Sequence, residues 1–253
     1  MRLAALLLLF LLALPLPAQA ERLVSMVSRD EVAITSSFSG ETLTLFGNIE
    51  PEAGAALRYV EGPYHIIITV TGPWQNRVAR RSEPVFGLWM NTEQALFRSF
   101  PSYYHVLSSG TLADIAPAET LRALDISPED QARIAAEPGT ANALSLGAEM
   151  IRLMSQRGLV AVNQTGVVFR SNTFYAAQVT LPSDAPPGRY LAHTYLFKDG
   201  EVIAERSEGF TVRKIGFERF IGRAAADQPL LYGLAAVALA LFTGWLGGVV
   251  FRR

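Results

Sequence analysis

The carboxyl-terminal end of the chain carries an uncharged run that constrains the fold more than any other feature. No charged residue occurs between Asp227 and Arg252, and the run from Gln228 to Phe251 is 24 residues long. At about 1.5 Å per helical residue, such a run is long enough to cross a hydrocarbon core of roughly 30 Å. The sequence therefore predicts a single carboxyl-terminal transmembrane helix over 228–251.

The amino-terminal end has the pattern of a secretory signal peptide. Arg2 is followed by an apolar stretch of 14 residues, Leu3 to Leu16, and then by a small-residue A-x-A exit at 18–20. Such a core is short for a membrane span and normal for a signal peptide. Residues 1–20 are therefore predicted to direct export, whether the signal is cleaved or retained. Flanking charge alone leaves the orientation open, because four basic residues between 213 and 223 lie close to the outer end of the helix. The export signal decides it and predicts a cytoplasmic Arg252-Arg253, which agrees with the positive-inside tendency.

The exported body has no cysteine and a mildly acidic balance. A domain of about 200 residues without disulfides must be stabilised by a hydrophobic core, and that length is sufficient for one. Between 21 and 227 lie 23 acidic and 19 basic residues, which gives a net charge of −4. Nucleic-acid-binding domains are usually basic, so no nucleic acid partner is expected.

The first part of the body alternates between apolar and polar residues with a period of two, as β-strands do. This alternation occurs in four segments, which are 31–38, 42–46, 64–71 and 86–90. We expect the turn Ser39-Gly40-Glu41 to join the first two strands, and the last strand to bury Phe86, Leu88 and Met90. Short strands with frequent turn signals favour an immunoglobulin-like β-sandwich.

The periodicity changes between Thr111 and Gly158. The segments 117–124, 127–136 and 141–157 have helical spacing, and Ser127-Pro128 is typical of a capped helix start. Strands return after Gly158, and Lys198-Asp199-Gly200 between two strand-like runs predicts a β-hairpin. The predicted fold class is therefore mainly β, a sandwich with a helical insertion at about 111–158. Two small domains are the alternative.

These boundaries divide the chain into five segments. They are a signal peptide (1–20), a periplasmic domain (21–214), a juxtamembrane segment (215–227), a transmembrane helix (228–251) and a cytoplasmic end (252–253).

Several short blocks, in order along the chain, carry a resemblance to a known family. They are Ile34–Gly40, Leu45-Phe46-Gly47, Gly72-Pro73, Arg80-Arg81, Gly87–Asn91, Phe100–Tyr104, Leu181-Pro182 with Pro187–Tyr190, and Tyr232-Gly233 with Gly244-Trp245. The mature chain resembles an uncharacterised family of alphaproteobacterial transmembrane proteins. The resemblance implies a Gram-negative inner-membrane protein that faces the periplasm, with no established activity. It also suggests a transporter partner, since members are encoded beside permeases similar to sulfite exporters.

Enzyme signatures are missing where they would be expected. The sequence has no G-x-S-x-G elbow, no H-E-x-x-H motif, no phosphate-binding glycine loop and no thiol. His65, His105 and His193 are far apart in sequence, so no metal site is predicted. Met150 and Met154 lie one helical turn apart and suit Cu(I), but core packing explains them better. The sequence thus predicts a protein that is not an enzyme and binds no cofactor.

A group of arginine, aromatic and amide side chains is the strongest candidate for ligand binding. Guanidinium groups bind oxyanions in bidentate fashion, and aromatic rings and an amide can orient a small anion. The group follows Trp74 and consists of Arg77, Arg80, Arg81, Trp89, Asn91, Tyr103, Tyr104 and His105. In the alternative interpretation the arginines protect an edge strand, while Trp89 and the tyrosines complete the core or pack against the helical insertion.

Small residues repeat every four positions in the membrane segment. They are Ala236, Ala240, Gly244 and Gly248. In lipid, close backbone approach across such residues is what holds helices together. The stripe predicts packing against a second helix, from another copy or from a permease. The alternative is that glycine and alanine are simply common in membrane helices.

Two functions are consistent with these features. The leading one is a membrane-anchored periplasmic accessory or interaction module, held in the bacterial inner membrane beside a transporter. The alternative is a periplasmic binding module for a small anion that uses the Arg80-Arg81 region. A flat apolar patch beside the membrane would favour the first function, and arginines around a concave pocket the second.

Overall fold

The computed structural model describes residues 21–34, 40–51, 60, 62–140, 142–214, 222 and 224–250. The strands in these ranges are β1 (Glu21–Val27), β2 (Glu31–Ile34), β3 (Glu41–Pro51), β4 (His65–Thr71), β5 (Trp74–Val85), β6 (Leu88–Pro101), β7 (Tyr104–Ser108), β8 (Val160–Asn163), β9 (Val167–Phe169), β10 (Phe174–Leu181), β11 (Gly188–Lys198) and β12 (Glu201–Lys214). The helices are α1 (Leu112–Ile115), α2 (Ala118–Ala123), α3 (Pro128–Ala135), α4 (Ala143–Gln156) and α5 (Pro229–Val250).

The strands form two main sheets and a separate ribbon. A four-stranded sheet has the order β1-β3-β10-β9, and a six-stranded sheet has the order β2-β12-β11-β4-β7-β8. The outer pairs β2/β12 and β7/β8 are parallel, whereas the other pairs are antiparallel. Strands β5 and β6 pair with each other. The mainly β prediction is confirmed, and the finer immunoglobulin-like class stays a prediction.

The two sheets face each other across one hydrophobic core. In β3 the buried residues Leu43, Leu45 and Ile49 alternate with more exposed ones, which is the period-two pattern of a strand with one buried face. Tyr103, which is fully buried, donates from its hydroxyl to the carbonyl oxygen of Thr180 in β10 at 3.0 Å. Because Tyr103 directly precedes β7, this hydrogen bond links the two sheets.

The helices between β7 and β8 cover the other face of the six-stranded sheet. Tyr104 follows Tyr103 in sequence and points to the opposite side, where its hydroxyl donates to the carbonyl oxygen of Ile126 at 3.0 Å. Helix α3 begins next to this contact, since the Ser127 hydroxyl accepts a 3.0 Å hydrogen bond from the Asp130 amide. Two consecutive tyrosines at the start of β7 therefore join three layers.

Strands β2 and β3 belong to different sheets, since β2 joins β12 and β3 joins β1 and β10. Residues 35–39, which include the end of the predicted first strand and Ser39 of the predicted turn, lie outside the described residues. One sequence expectation about the strands is wrong. Phe86, Leu88 and Met90 are exposed rather than buried. Alternation shows which residues share a face of a strand. These three residues lie at the end of the β5–β6 ribbon, which extends beyond the core, so neither face of the ribbon is covered there.

Helix α5 is the part of the described chain that can cross a membrane. Its residues Pro229–Val249 are long enough and apolar enough for a span. The predicted signal peptide, residues 215–221 and 223 of the juxtamembrane segment, and the predicted cytoplasmic end lie outside the described residues.

Candidate functional site: an arginine-lined cleft

The β5–β6 ribbon and helix α4 form the two walls of the candidate site. The inner face of the ribbon is buried at Ala95 and Phe97, on which α3 and α4 pack. Gly147 of α4 permits this close approach, because a Cβ there would lie only 3.3 Å from both the Phe97 ring and the Ala132 methyl group. The helix is therefore held against the ribbon at a defined depth.

A cleft of about 280 Å³ lies between β5 and α4. Its lining combines apolar side chains with three arginines and one glutamate. The lining residues are Arg77, Val78, Ala79 and Arg80 from β5, Leu146, Glu149, Met150, Leu153 and Met154 from α4, and Arg157 just after α4. A concave apolar surface with a few convergent charges is the usual form of a small-ligand site.

Arg77 is the unusual residue of this cleft. Its side chain is half-buried, and its Nε atom is buried with no hydrogen-bond partner among the described residues. Burial lowers the pKa of Arg77, and repulsion by the nearby Arg157 guanidinium lowers it further. A buried guanidinium nitrogen without an acceptor is costly, so an incoming anion would relieve an unsatisfied group.

The acidic residues near the cleft are already paired elsewhere. Glu149 bonds along its own helix to Arg152, with 2.9 Å between Oε2 and Nε, and this bond lowers the pKa of Glu149. Arg157 is bonded to Asp184, with 3.0 Å between Nε and Oδ2. Within the described part of the chain, neither Arg77 nor Arg80 has a salt-bridge partner.

The structure divides the predicted anion-binding group into three parts. Arg77 and Arg80 line the cleft. Arg81 lies outside its lining and forms a salt bridge across the ribbon to Glu93, with 3.0 Å between the charged atoms. At the ribbon end, Trp89 is exposed and Asn91 accepts a 2.7 Å hydrogen bond from Ser82.

The third part of the group belongs to the core. Tyr103 and Tyr104 are buried between layers, as described above, and burial raises the pKa of both hydroxyls. His105 stacks on Tyr103 with ring centroids 4.2 Å apart, and its Nε2 lies 3.0 Å from the carbonyl oxygen of Gly158. Burial lowers the pKa of His105. The positions of Tyr103 and Tyr104 are those of the alternative interpretation, in which the tyrosines complete the core or pack against the helical insertion.

The sequence analysis missed Arg157 and the apolar residues of α4 as parts of the site. Arg157 follows Arg77 by 80 positions, and no local pattern connects them. Met150 and Met154 are buried on the side of α4 that lines the cleft. No cluster of three or more His, Asp or Glu side chains suited to a metal ion occurs within the described ranges.

Comparison with known proteins gives a family. The family described as "Putative transmembrane protein (Alph_Pro_TM)" matches residues 22–253. The chain belongs to this family. Its membership agrees with the apolar helix α5, the one candidate membrane span within the described residues. A comparison with curated proteins finds no match.

The comparison with solved structures finds eight matching chains, of which one is described here. It is Pseudomonas fluorescens alkylpurine DNA glycosylase AlkC bound to DNA containing an abasic site analog, with 10% sequence identity and a TM-score of 0.23. The aligned region covers 77% of this chain and 30% of that chain. At this TM-score the likeness supports no conclusion about fold or function.

Proposed function

We propose that the protein is a non-enzymatic accessory module, anchored by α5 in the bacterial inner membrane with its immunoglobulin-like body in the periplasm. In this proposal residues 1–20 are the export signal and the carboxyl-terminal end is cytoplasmic. The partner is an integral inner-membrane protein such as a transporter, or a second copy of the chain.

The observation that supports a helical partner is the open small-residue face of α5. Among the described residues, no atom outside the immediate helix lies within 4 Å of where a Cβ would stand on Gly244 or Gly248. Ala236 and Ala240 share this face and are exposed. A helix whose smallest side chains are uncovered offers the closest backbone approach to another membrane helix.

Cross-linking in native membranes tests this partnership. Gly244→Ile combined with Gly248→Ile should still insert but lose its cross-linked partner, because the added side chains keep the backbones apart. Ala235→Ile combined with Ala238→Ile adds similar bulk on the opposite side of α5 and is the matched control. The same cross-linked species in both double variants would show that α5 is only an anchor.

A second function, binding of a small anion in the arginine-lined cleft, is favoured by Arg77. The unpartnered Nε and the absence of a described salt bridge to Arg77 or Arg80 leave positive charge available to an oxyanion. We assign this role to Arg77 and Arg80, rather than to the Arg80-Arg81 pair, because Arg81 is paired with Glu93.

Calorimetry on the full chain in detergent, with sulfate, sulfite and phosphate as probes, tests the anion site. Arg77→Met and Arg80→Met should each abolish or strongly weaken binding, whereas Arg81→Met should leave the affinity nearly unchanged. Absence of binding by the unmutated protein to all three anions would refute this function. Equal losses in all three variants would point to general surface charge instead of the cleft.

A further inference from the structure

The end of the β5–β6 ribbon exposes a compact group of large apolar side chains. Phe86 is fully exposed, and Leu88, Trp89 and Met90 are 69%, 75% and 52% exposed. The nine residues from Pro84 to Thr92, named here the ribbon tip, contain no charge. Contiguous exposed apolar surface of this kind usually marks a site of interaction.

The backbone of the turn holds one of these side chains in a costly conformation. Val85 pairs with Leu88, so Phe86 and Gly87 form a two-residue turn with φ values of 51° and 82°. Turns with two positive φ values favour asparagine, aspartate or glycine, and a bulky residue there is strained. A phenylalanine at this position places its ring at the outermost point of the ribbon.

The ribbon leaves the six-stranded sheet at the end from which the chain runs to its membrane helix. Strands β4 and β12 are both antiparallel to β11, so they run in the same direction. Two hydrogen bonds continue the β4–β7 ladder into the ribbon. The Gly72 amide donates to the Tyr103 carbonyl oxygen at 2.8 Å, and the Ser102 amide donates to the Pro73 carbonyl oxygen at 3.0 Å.

The base of the ribbon lies beside the last residues of β12. Pro73 contacts Gly188 of β11, since a Cβ on Gly188 would lie 2.9 Å from the Pro73 Cγ atom. Gly188 in turn pairs with Val212, two residues before β12 ends at Lys214. The ribbon and the connection to α5 therefore start from neighbouring points.

The lengths of these two segments match. The 12 residues of β5 extend up to about 40 Å at roughly 3.3 Å per residue. The 14 residues between β12 and α5 include the helical residues 224–227. Even with the others fully extended, they span at most about 40 Å. The connection to α5 therefore limits the distance between the base of the ribbon and the membrane to about the length of the ribbon.

The geometry points to a second membrane contact: the ribbon tip inserts into the interfacial layer of the lipid bilayer that α5 spans. A tryptophan and a phenylalanine at the end of a hairpin suit this layer, where aromatic rings are enriched. A protein–protein interface of standard size buries about 800 Å² on each partner. The narrow end of a two-stranded ribbon does not offer that area. The inference depends neither on the anion site nor on a transporter partner.

The three natural tryptophans provide the test. Trp74 lies at the base of the ribbon, Trp89 at its tip and Trp245 in α5. Three full-chain variants, each retaining one tryptophan and carrying phenylalanine at the other two positions, are reconstituted in phosphatidylethanolamine and phosphatidylglycerol vesicles with brominated acyl chains. Bromine quenches tryptophan emission only at short range, while iodide in the buffer quenches emission from exposed rings.

The expected result is that brominated lipid quenches Trp89 nearly as much as Trp245, and that iodide quenches Trp74 but not Trp89. Phe86→Ser with Leu88→Ser should reverse the result for Trp89. Phe174→Ser is the control variant. It removes an exposed aromatic residue from β10 and should leave the quenching of Trp89 unchanged. Quenching of Trp89 by iodide in the unmutated tip would show a tip in solvent. Protection of Trp89 from both quenchers would show a protein partner or a second copy. Either outcome overturns the inference.

Discussion

Replacing Arg77 by methionine should make the protein more stable while removing the proposed anion site. Methionine keeps the apolar part of the side chain but removes the buried Nε, which has no partner among the described residues. It also removes the repulsion with Arg157 that contributes to the lowered pKa of Arg77. Binding sites often carry groups that are strained until the ligand arrives.

The size of the expected gain in the free energy of unfolding follows from the burial of the Arg77 side chain. A fully buried polar group without a partner costs about 1–3 kcal/mol. Arg77 is only half-buried, so water screens part of this cost, and the gain in the free energy of unfolding should be about 1 kcal/mol. For a body of this size, that gain corresponds to a rise of about 3 °C in the melting temperature.

Thermal unfolding of the full chain in detergent, followed by near-ultraviolet circular dichroism, measures this gain. Arg80→Met is the matched control, since Arg80 is exposed and its removal should change stability by less than about 0.5 kcal/mol. Added sulfate should raise the melting temperature of the unmutated chain more than that of Arg77→Met. If Arg77→Met instead lowers the melting temperature, the guanidinium has a stabilising partner and the reasoning fails.

Three further predictions concern the core. Because burial lowers the pKa of His105, the unfolded state binds more protons than the native state from about pH 6.5 down to the lowered pKa. The free energy of unfolding should therefore fall between pH 7 and pH 5 in denaturant titrations, and less steeply in His105→Gln. Gly47→Ala should destabilise the fold by about 2 kcal/mol, because its Cβ would meet a backbone carbonyl oxygen in β1, whereas Gly110→Ala, with open space around it, should be nearly neutral. Tyr103→Phe should cost about 1 kcal/mol through the lost hydrogen bond to Thr180, without changing sulfate affinity in calorimetry.

The candidate site could be predicted only in part. Arginine chemistry led to β5 as the candidate strand, because guanidinium groups have few uses other than ion pairing and oxyanion binding. The choice between Arg77, Arg80 and Arg81 required the structure, since it depends on α4 and on Glu93 of the facing strand. The residues that flank the arginines in the sequence do not indicate that α4 or Glu93 lies beside them in the fold.

Local patterns in the sequence determined the features that need no distant partner. The uncharged run before Arg252 predicts a membrane helix because a helix satisfies all its backbone hydrogen bonds internally. Period-two alternation likewise predicts that strands exist. Which strands pair, as with β2 beside β12, was decided only by the tertiary structure, because that pairing joins residues 180 positions apart. The exposure of Phe86 was decided in the same way, since a side chain is buried only where another part of the chain arrives to cover it.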